Sequence, residues 1–260
     1  MNLGLQNQVA WICGSTGAIG AAVARTLTDE GVSLALSARD ANALDALVAE
    51  LRPAAPHPPL ALPLDMSVRA SVDTAAKRIL SEHGRLDILV NTTALPLFGD
   101  FLALEDAAWE EIFQAKYFGY MRTMRAVIPQ MVSQARGCIV NISGRGGHQP
   151  SSASHLPGSS ANAAVNLLTK GLANIYGDKG LRINAVAPGP IASQRFDRLA
   201  AANDTIAHDA PRASAKPATT VAGLGQPHDI ASIVAFLVSD HAAHLNGLVV
   251  QADGGSTLTL

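Results

Sequence analysis

The sequence predicts an α/β chain: a doubly wound parallel sheet in a single domain spanning residues 1–260. Three observations predict it. Short apolar runs recur along the chain, and each is continuous rather than alternating, the pattern of strands buried on both faces. Longer segments with helical spacing separate those runs, as crossover helices would. A glycine-rich turn, "CGSTGAIG" (13–20), stands between the first run and the first helical segment.

The elements follow in order. "VAWIC" (9–13) is the first strand and Ala18 to about Asp29 the first helix. "VSLALSA" (32–38) is the second strand, followed by a helix over "DANALDALVAELR" (40–52) with leucines at 44, 47 and 51. Prolines make 52–63 a loop, which leads into a third strand near Leu60–Leu64. "LDILVN" (86–91), "GCIVNIS" (137–143), "LRINAVAPG" (181–189) and "GLVVQADGG" (247–255) complete the strands. The least regular stretch is Ile191 to Gln226, polar and rich in small residues, and a connection of that length reads as a lid over a substrate. Within it Arg195, Arg198, Arg212 and Lys216 read as a solvated loop, with an anionic substrate as the alternative.

Composition narrows the functions. Of 260 residues, 48% are hydrophobic and 15% charged, ample for one large core. A formal charge of −2 and 4% aromatics give no reason to expect nucleic acid or a membrane surface as partner. Cys13 and Cys138 sit in buried runs and read as reduced thiols. No apolar run reaches the roughly 20 residues that span a bilayer, and the start lacks the form of a signal peptide. A soluble, cytoplasmic protein is expected. His241 and His244 lie one helical turn apart without an acid or cysteine at ligand spacing, so no metal site is expected.

The glycine-rich turn is suited to a nucleotide, because Gly14, Gly17 and Gly20 allow a tight turn and close approach of a pyrophosphate to helix N–H groups. The pattern resembles the short-chain dehydrogenase/reductase family, whose first motif is TGxxxGxG, with Cys13 standing for its threonine and Ala18 for its middle glycine. The likeness extends along nearly the whole chain. "LDMS" places Asp65 near an adenine, and "LDILVNTTA" keeps the Asn91 of the family's LVNNAG strand. "INAVAPGPIAS" resembles its PG motif, and "GQPHDIASIVAFLVSD" and "LNGLVVQADGG" resemble its C-terminal signature. The resemblance implies a Rossmann-type fold, with Gly14, Ser15, Thr16, Ala18, Ile19, Arg39, Asp65, Met66, Asn91, Pro188, Gly189 and Ile191 around a dinucleotide and Ser193 near its carboxamide. The second strand ends in Ala38 rather than an acid, and Arg39 follows, whose guanidinium can fork onto a 2′-phosphate. NADP(H) is therefore expected over NAD(H), with Asp40 as a helix cap.

The catalytic positions depart from the family. Its Ser, Tyr, Lys and Asn fall at Gly144, His155, Ser159 and Lys116. A lysine thus stands at the asparagine site while the other lysine is absent, and the stretch resembles a divergent branch carrying YxxGSxGNAAL, with His155 in place of its tyrosine. The expectation is that Lys116 supplies the cation and His155, titrating near neutrality, the proton. Ser143 or Ser154 would polarise the carbonyl, with Ser159 beside them. Hydride transfer between nicotinamide and a carbonyl/alcohol pair is the leading reading. A non-catalytic NADP(H)-binding sensor or subunit, and a non-redox lyase or isomerase using His155 as base, are the alternatives. The family usually pairs through helices that correspond here to about 105–134 and 155–177, which implies a homodimer or homotetramer.

Overall fold

The computed structural model describes residues 2–150, 152–206, 221 and 223–257. Seven strands form one parallel sheet: β1 (Val9–Cys13), β2 (Ser33–Ala38), β3 (Leu60–Pro63), β4 (Ile88–Asn91), β5 (Gly137–Ile142), β6 (Leu181–Pro188) and β7 (Val249–Ala252), in the order β3-β2-β1-β4-β5-β6-β7. The order reverses between β1 and β4. A crevice opens at such a switch point, beyond the carboxyl ends of the strands.

Pleating explains the continuous apolar runs. Along β1, Ala10 and Ile12 enter one core, while Val9, Trp11 and Cys13 enter the other. The first core is closed by α1 (Ala18–Asp29), α2 (Ala41–Leu51) and α8 (Pro227–Val238). On the opposite face lie α3 (Arg69–His83), α5 (Gly119–Ser133) and α6 (Leu156–Tyr176). Each large aliphatic or aromatic side chain taken from water there contributes about 2 kcal/mol. Trp11 also needs a partner for its indole N–H, and finds Ser37 Oγ at 2.9 Å.

Between α4 (Asp106–Phe113) and α5 the helix widens into a π-helical turn, Gln114–Phe118. The stretch over 191–226 that looked irregular contains α7, Gln194–Ile206. Arg212 and Lys216 lie outside the described residues. Asp40 caps α2 as expected, its Oδ1 accepting from the Ala43 N–H at 3.1 Å. Both cysteines are free and buried, and no described helix is long and apolar enough to cross a membrane.

Candidate active site

A single open cavity of about 1630 Å3 runs from the turn before α1, across the ends of the strands, to α7. An ordinary small-ligand pocket holds roughly 300–1,000 Å3, so there is room for a dinucleotide and a substrate together. At one end the chain turns through Gly14 at φ +81°, where a Cβ would stand 2.9 Å from Thr92 Oγ1 and from the Thr93 N–H nitrogen. A Cβ on Gly20 would overlap the Gly14 carbonyl oxygen. These glycines therefore let loop, helix and neighbouring strand close on one another. α1 begins at Gly17 with no side chain capping its first turn, leaving its N–H groups and positive dipole end to a ligand.

Along this wall the cavity is lined by Gly14, Thr16, Ala18, Ile19, Arg39, Asp65 and Met66, and farther on by Pro188, Gly189, Ile191 and Ser193. Asp65 accepts the N–H and hydroxyl of Ser67 at 2.8 and 2.7 Å. Burial pushes its carboxyl up, but those bonds outweigh it, and Arg39 and Arg122 add to them, so the group stays below its usual range.

Two of the expected cofactor residues do not reach the cavity. Asn91 is fully buried. Its amide donates to Asn141 Oδ1 at 2.9 Å, and its own oxygen accepts from Thr123 Oγ1 at 2.8 Å. Asn141 in turn donates to Thr169 Oγ1 at 3.0 Å. The side chain is spent on a seam joining β4, β5, α5 and α6, so Asn91 is corrected to a structural role. Ser15 is likewise buried, its hydroxyl donating to the Ser37 carbonyl at 3.2 Å.

At the other end the π-helical turn carries Lys116 inward. Its Nζ donates to the Ile142 carbonyl at 2.7 Å and reaches that of Ser143 at 3.4 Å, and it lies 4.9 Å from the centre of the Tyr120 ring. Burial, with Arg195 nearby, pulls the ammonium down to about 7. His155 forms the entry to α6 and lines the cavity. Its Nε2 sits 3.0 Å from a terminal nitrogen of Arg195 on α7. A guanidinium has only donors, so Nε2 must accept and the ring proton resides on Nδ1.

That geometry corrects the expected acid. Burial first, then Arg195, then Lys116 pull the imidazole down to about 3, so at neutral pH His155 has no proton beyond its Nδ1–H to give. Ser143 lines the cavity but its hydroxyl donates to the Val186 carbonyl at 3.3 Å. Ser154, by contrast, is fully buried and donates to Asn203 Oδ1 at 2.6 Å. Ser159 packs against Gly146 and does not face the cavity. Neither Ser154 nor Ser159 can polarise a substrate from there.

Two further residues join the site: Asn162, which sequence reasoning passed over, and Arg195, which it read as part of a solvated loop. Asn162, in the stretch "SSANAAV" (159–165) of α6, is buried and lines the cavity, with its Nδ2 2.8 Å from where a Cβ on Gly144 would stand. An amide thus fills the space at the position that resembles the family's serine. Arg195 is the other, brought to His155 across 40 residues of sequence. His241 and His244 are exposed, and the described residues hold no metal-binding cluster.

A family model described as enoyl-(acyl carrier protein) reductase matches residues 14–257. The chain belongs to the short-chain dehydrogenase/reductase family. It is an oxidoreductase of that family. The hydroxy(phenyl)methylsuccinyl-CoA dehydrogenase subunit BbsD of Thauera aromatica is 32% identical over 98% of this chain and 99% of its own. The 2,3-dihydro-2,3-dihydroxybenzoate dehydrogenase of Bacillus subtilis is 31% identical over 98% of each. Among solved structures, a 7α-hydroxysteroid dehydrogenase complexed with NADH and 7-oxo glycochenodeoxycholic acid superposes with a TM-score of 0.87 at 26% identity, covering 100% of this chain and 98% of that one. The short-chain dehydrogenase/reductase scaffold thus accounts for sheet order and cavity.

Proposed function

We propose that the protein is a cytoplasmic NADP(H)-dependent reductase or dehydrogenase acting on a carbonyl/alcohol pair. The observation that carries the cofactor choice is at the end of β2. Arg39 lines the cavity there, following Ala38 rather than an acid, and its neighbour Asp40 has turned its carboxylate onto the first turn of α2. A 2′-phosphate would meet the Arg39 cation, with no acid at the end of the strand to repel it. The open first turn of α1 suits the pyrophosphate.

Bound nicotinamide supplies or accepts the hydride. The chain's residues handle the proton and the substrate oxygen. Lys116, whose ammonium is poised near neutrality, gives or takes the proton at Nζ. Neutral His155 keeps its Nδ1–H as a donor, as Arg195 occupies Nε2. Asn162 offers a second neutral donor beside Gly144. α7, within the stretch read as a lid, contributes Arg195, Arg198 and Asn203 to the wall that would face the substrate. Assembly as a homodimer or homotetramer through α6 agrees with Leu167 and Ile175, exposed eight residues apart on that helix.

The test is a titration with NADPH, NADP⁺, NADH and NAD⁺, followed by nicotinamide fluorescence and calorimetry, on wild type and Arg39→Ala. Wild type is expected to bind the phosphorylated pair at least about tenfold more tightly, as one charge-assisted fork of 1.5–3 kcal/mol would give, and the variant to lose that preference. Equal binding of NADH and NADPH by wild type overturns the cofactor assignment.

A further inference from the structure

The chemical end of the cavity has an unbalanced charge. Arg195 spends one of its donors on His155 Nε2, a partner with a lone pair but no negative charge. Its Nε is shut away from water with no acceptor among the described residues. Lys116 rests on two backbone carbonyls, which are also uncharged. Among the described residues no Asp or Glu forms an ion pair with either cation. The acids on the cavity wall, Asp65, Glu110 and Glu111, are exposed ones. Arg198, one helical turn beyond Arg195, adds another cation to the same wall.

Cations withdrawn from water without a counter-charge are costly, and the cost is recovered only when an anion arrives. The cofactor is not that anion in the arrangement proposed above. Its phosphates belong to α1 and Arg39, which acts on Asp65, whereas Arg195 acts on Lys116, His155 and Tyr120. Arg195 is also held in place. Its guanidinium lies 5.5 Å from the centre of the Phe98 ring, and the same ring is 5.4 Å from His155. Held by these two contacts on the cavity wall, the guanidinium keeps N–H donors beyond the one given to His155, and a planar carboxylate is the anion that such a group pairs with.

We propose that Arg195 anchors a carboxylate of the substrate, so that the enzyme interconverts oxo acids and hydroxy acids in preference to neutral carbonyl compounds. The proposal rests on the hydride-transfer reading above and adds the substrate class to it. In the reducing direction hydride passes from NADPH to the carbonyl carbon and Lys116 gives the proton to its oxygen. The products are the hydroxy acid and NADP⁺, and the carboxylate stays on Arg195 throughout.

The experiment pairs a panel of 2-oxo and 3-oxo acids with their methyl esters, as substrates for wild type, Arg195→Gln and Arg195→Lys with NADPH. Malonate is titrated calorimetrically into each protein, with and without NADPH. Wild type is expected to favour acids over esters by about 100-fold in kcat/KM, expressed mainly in KM. Arg195→Gln brings that ratio below about tenfold and loses malonate binding, and Arg195→Lys falls between. Esters turned over as well as acids by wild type, or malonate binding untouched by Arg195→Gln, overturn the proposal. NADPH affinity, measured on the same samples, separates the two readings. Wild type that binds no NADPH refutes the redox assignment and leaves the malonate comparison to decide the anion site. Should Arg195→Gln fail to fold, unchanged malonate binding and an unchanged acid-to-ester ratio in Arg195→Lys refute the anchor.

Discussion

Replacing Lys116 with methionine should make the protein's stability less dependent on pH, by an amount the structure lets us work out. Burial moves the ammonium from 10.5 to about 7. At 1.36 kcal/mol per pH unit, that gap corresponds to about 5 kcal/mol. The sign follows from proton counting. Between pH 7 and 10.5 the unfolded chain holds the proton and the folded chain releases it, so folding stability rises with pH through that window. Below about 7 both states are protonated and the full penalty applies. Lys116→Met has no such proton. Its other costs, including the lost bond to Ile142 (whose oxygen keeps the Tyr120 hydroxyl at 3.0 Å), are independent of pH and cancel in the comparison. Urea unfolding of both proteins at pH 6.5 and 9.5 measures the effect. The advantage of the variant over wild type should fall by about 3 kcal/mol from the lower to the higher pH. A difference constant within about 0.5 kcal/mol would show that Lys116 keeps an ordinary ammonium, and would remove it as the proton carrier.

Other outcomes follow from the same geometry. Asn91→Ala leaves Asn141 and Thr123 short of a buried partner and should cost about 2–4 kcal/mol in urea unfolding, with NADPH affinity of the folded variant altered far less. An NMR titration of His155 should show a neutral ring, protonated on Nδ1, from pH 8 down to 5. In Arg195→Gln its pKa should move up, since one of the positive charges that oppose protonation is gone.

The strands were legible because each lies between two helical layers and must be apolar on both sides, as "VAWIC" and "CIVNI" are. The helix α7 was not. Its residues, "QRFDRLAAANDTI", line a cavity rather than a core, so the usual apolar stripe is weak. At the site, motif resemblance found the right neighbourhoods but not always the right side chains. Asn91, the last residue of β4, turns into the sheet seam, while Thr92 and Thr93, just beyond the strand's end, line the cavity. Gly14 and Thr16 likewise flank Ser15, which faces inward. Spacing also pointed to Lys116 and His155, both of which line the cavity, but it carries no information on their protonation. That depends on Arg195, which only the folded chain brings beside them.

The π-helical turn at Gln114–Phe118 makes chain length itself a determinant of the chemistry. From Asp106 to Ser133 the backbone is helical throughout, yet one turn closes a wider ring than its neighbours. Removing a single residue there would restore ordinary α-helical bonding and improve the local backbone. It would also close the wide turn that aims Lys116, carrying its Nζ away from the Ile142 carbonyl. A deletion that a helix would welcome is one the active site cannot accept, and the extra residue is kept by what it aims rather than by what it stabilises.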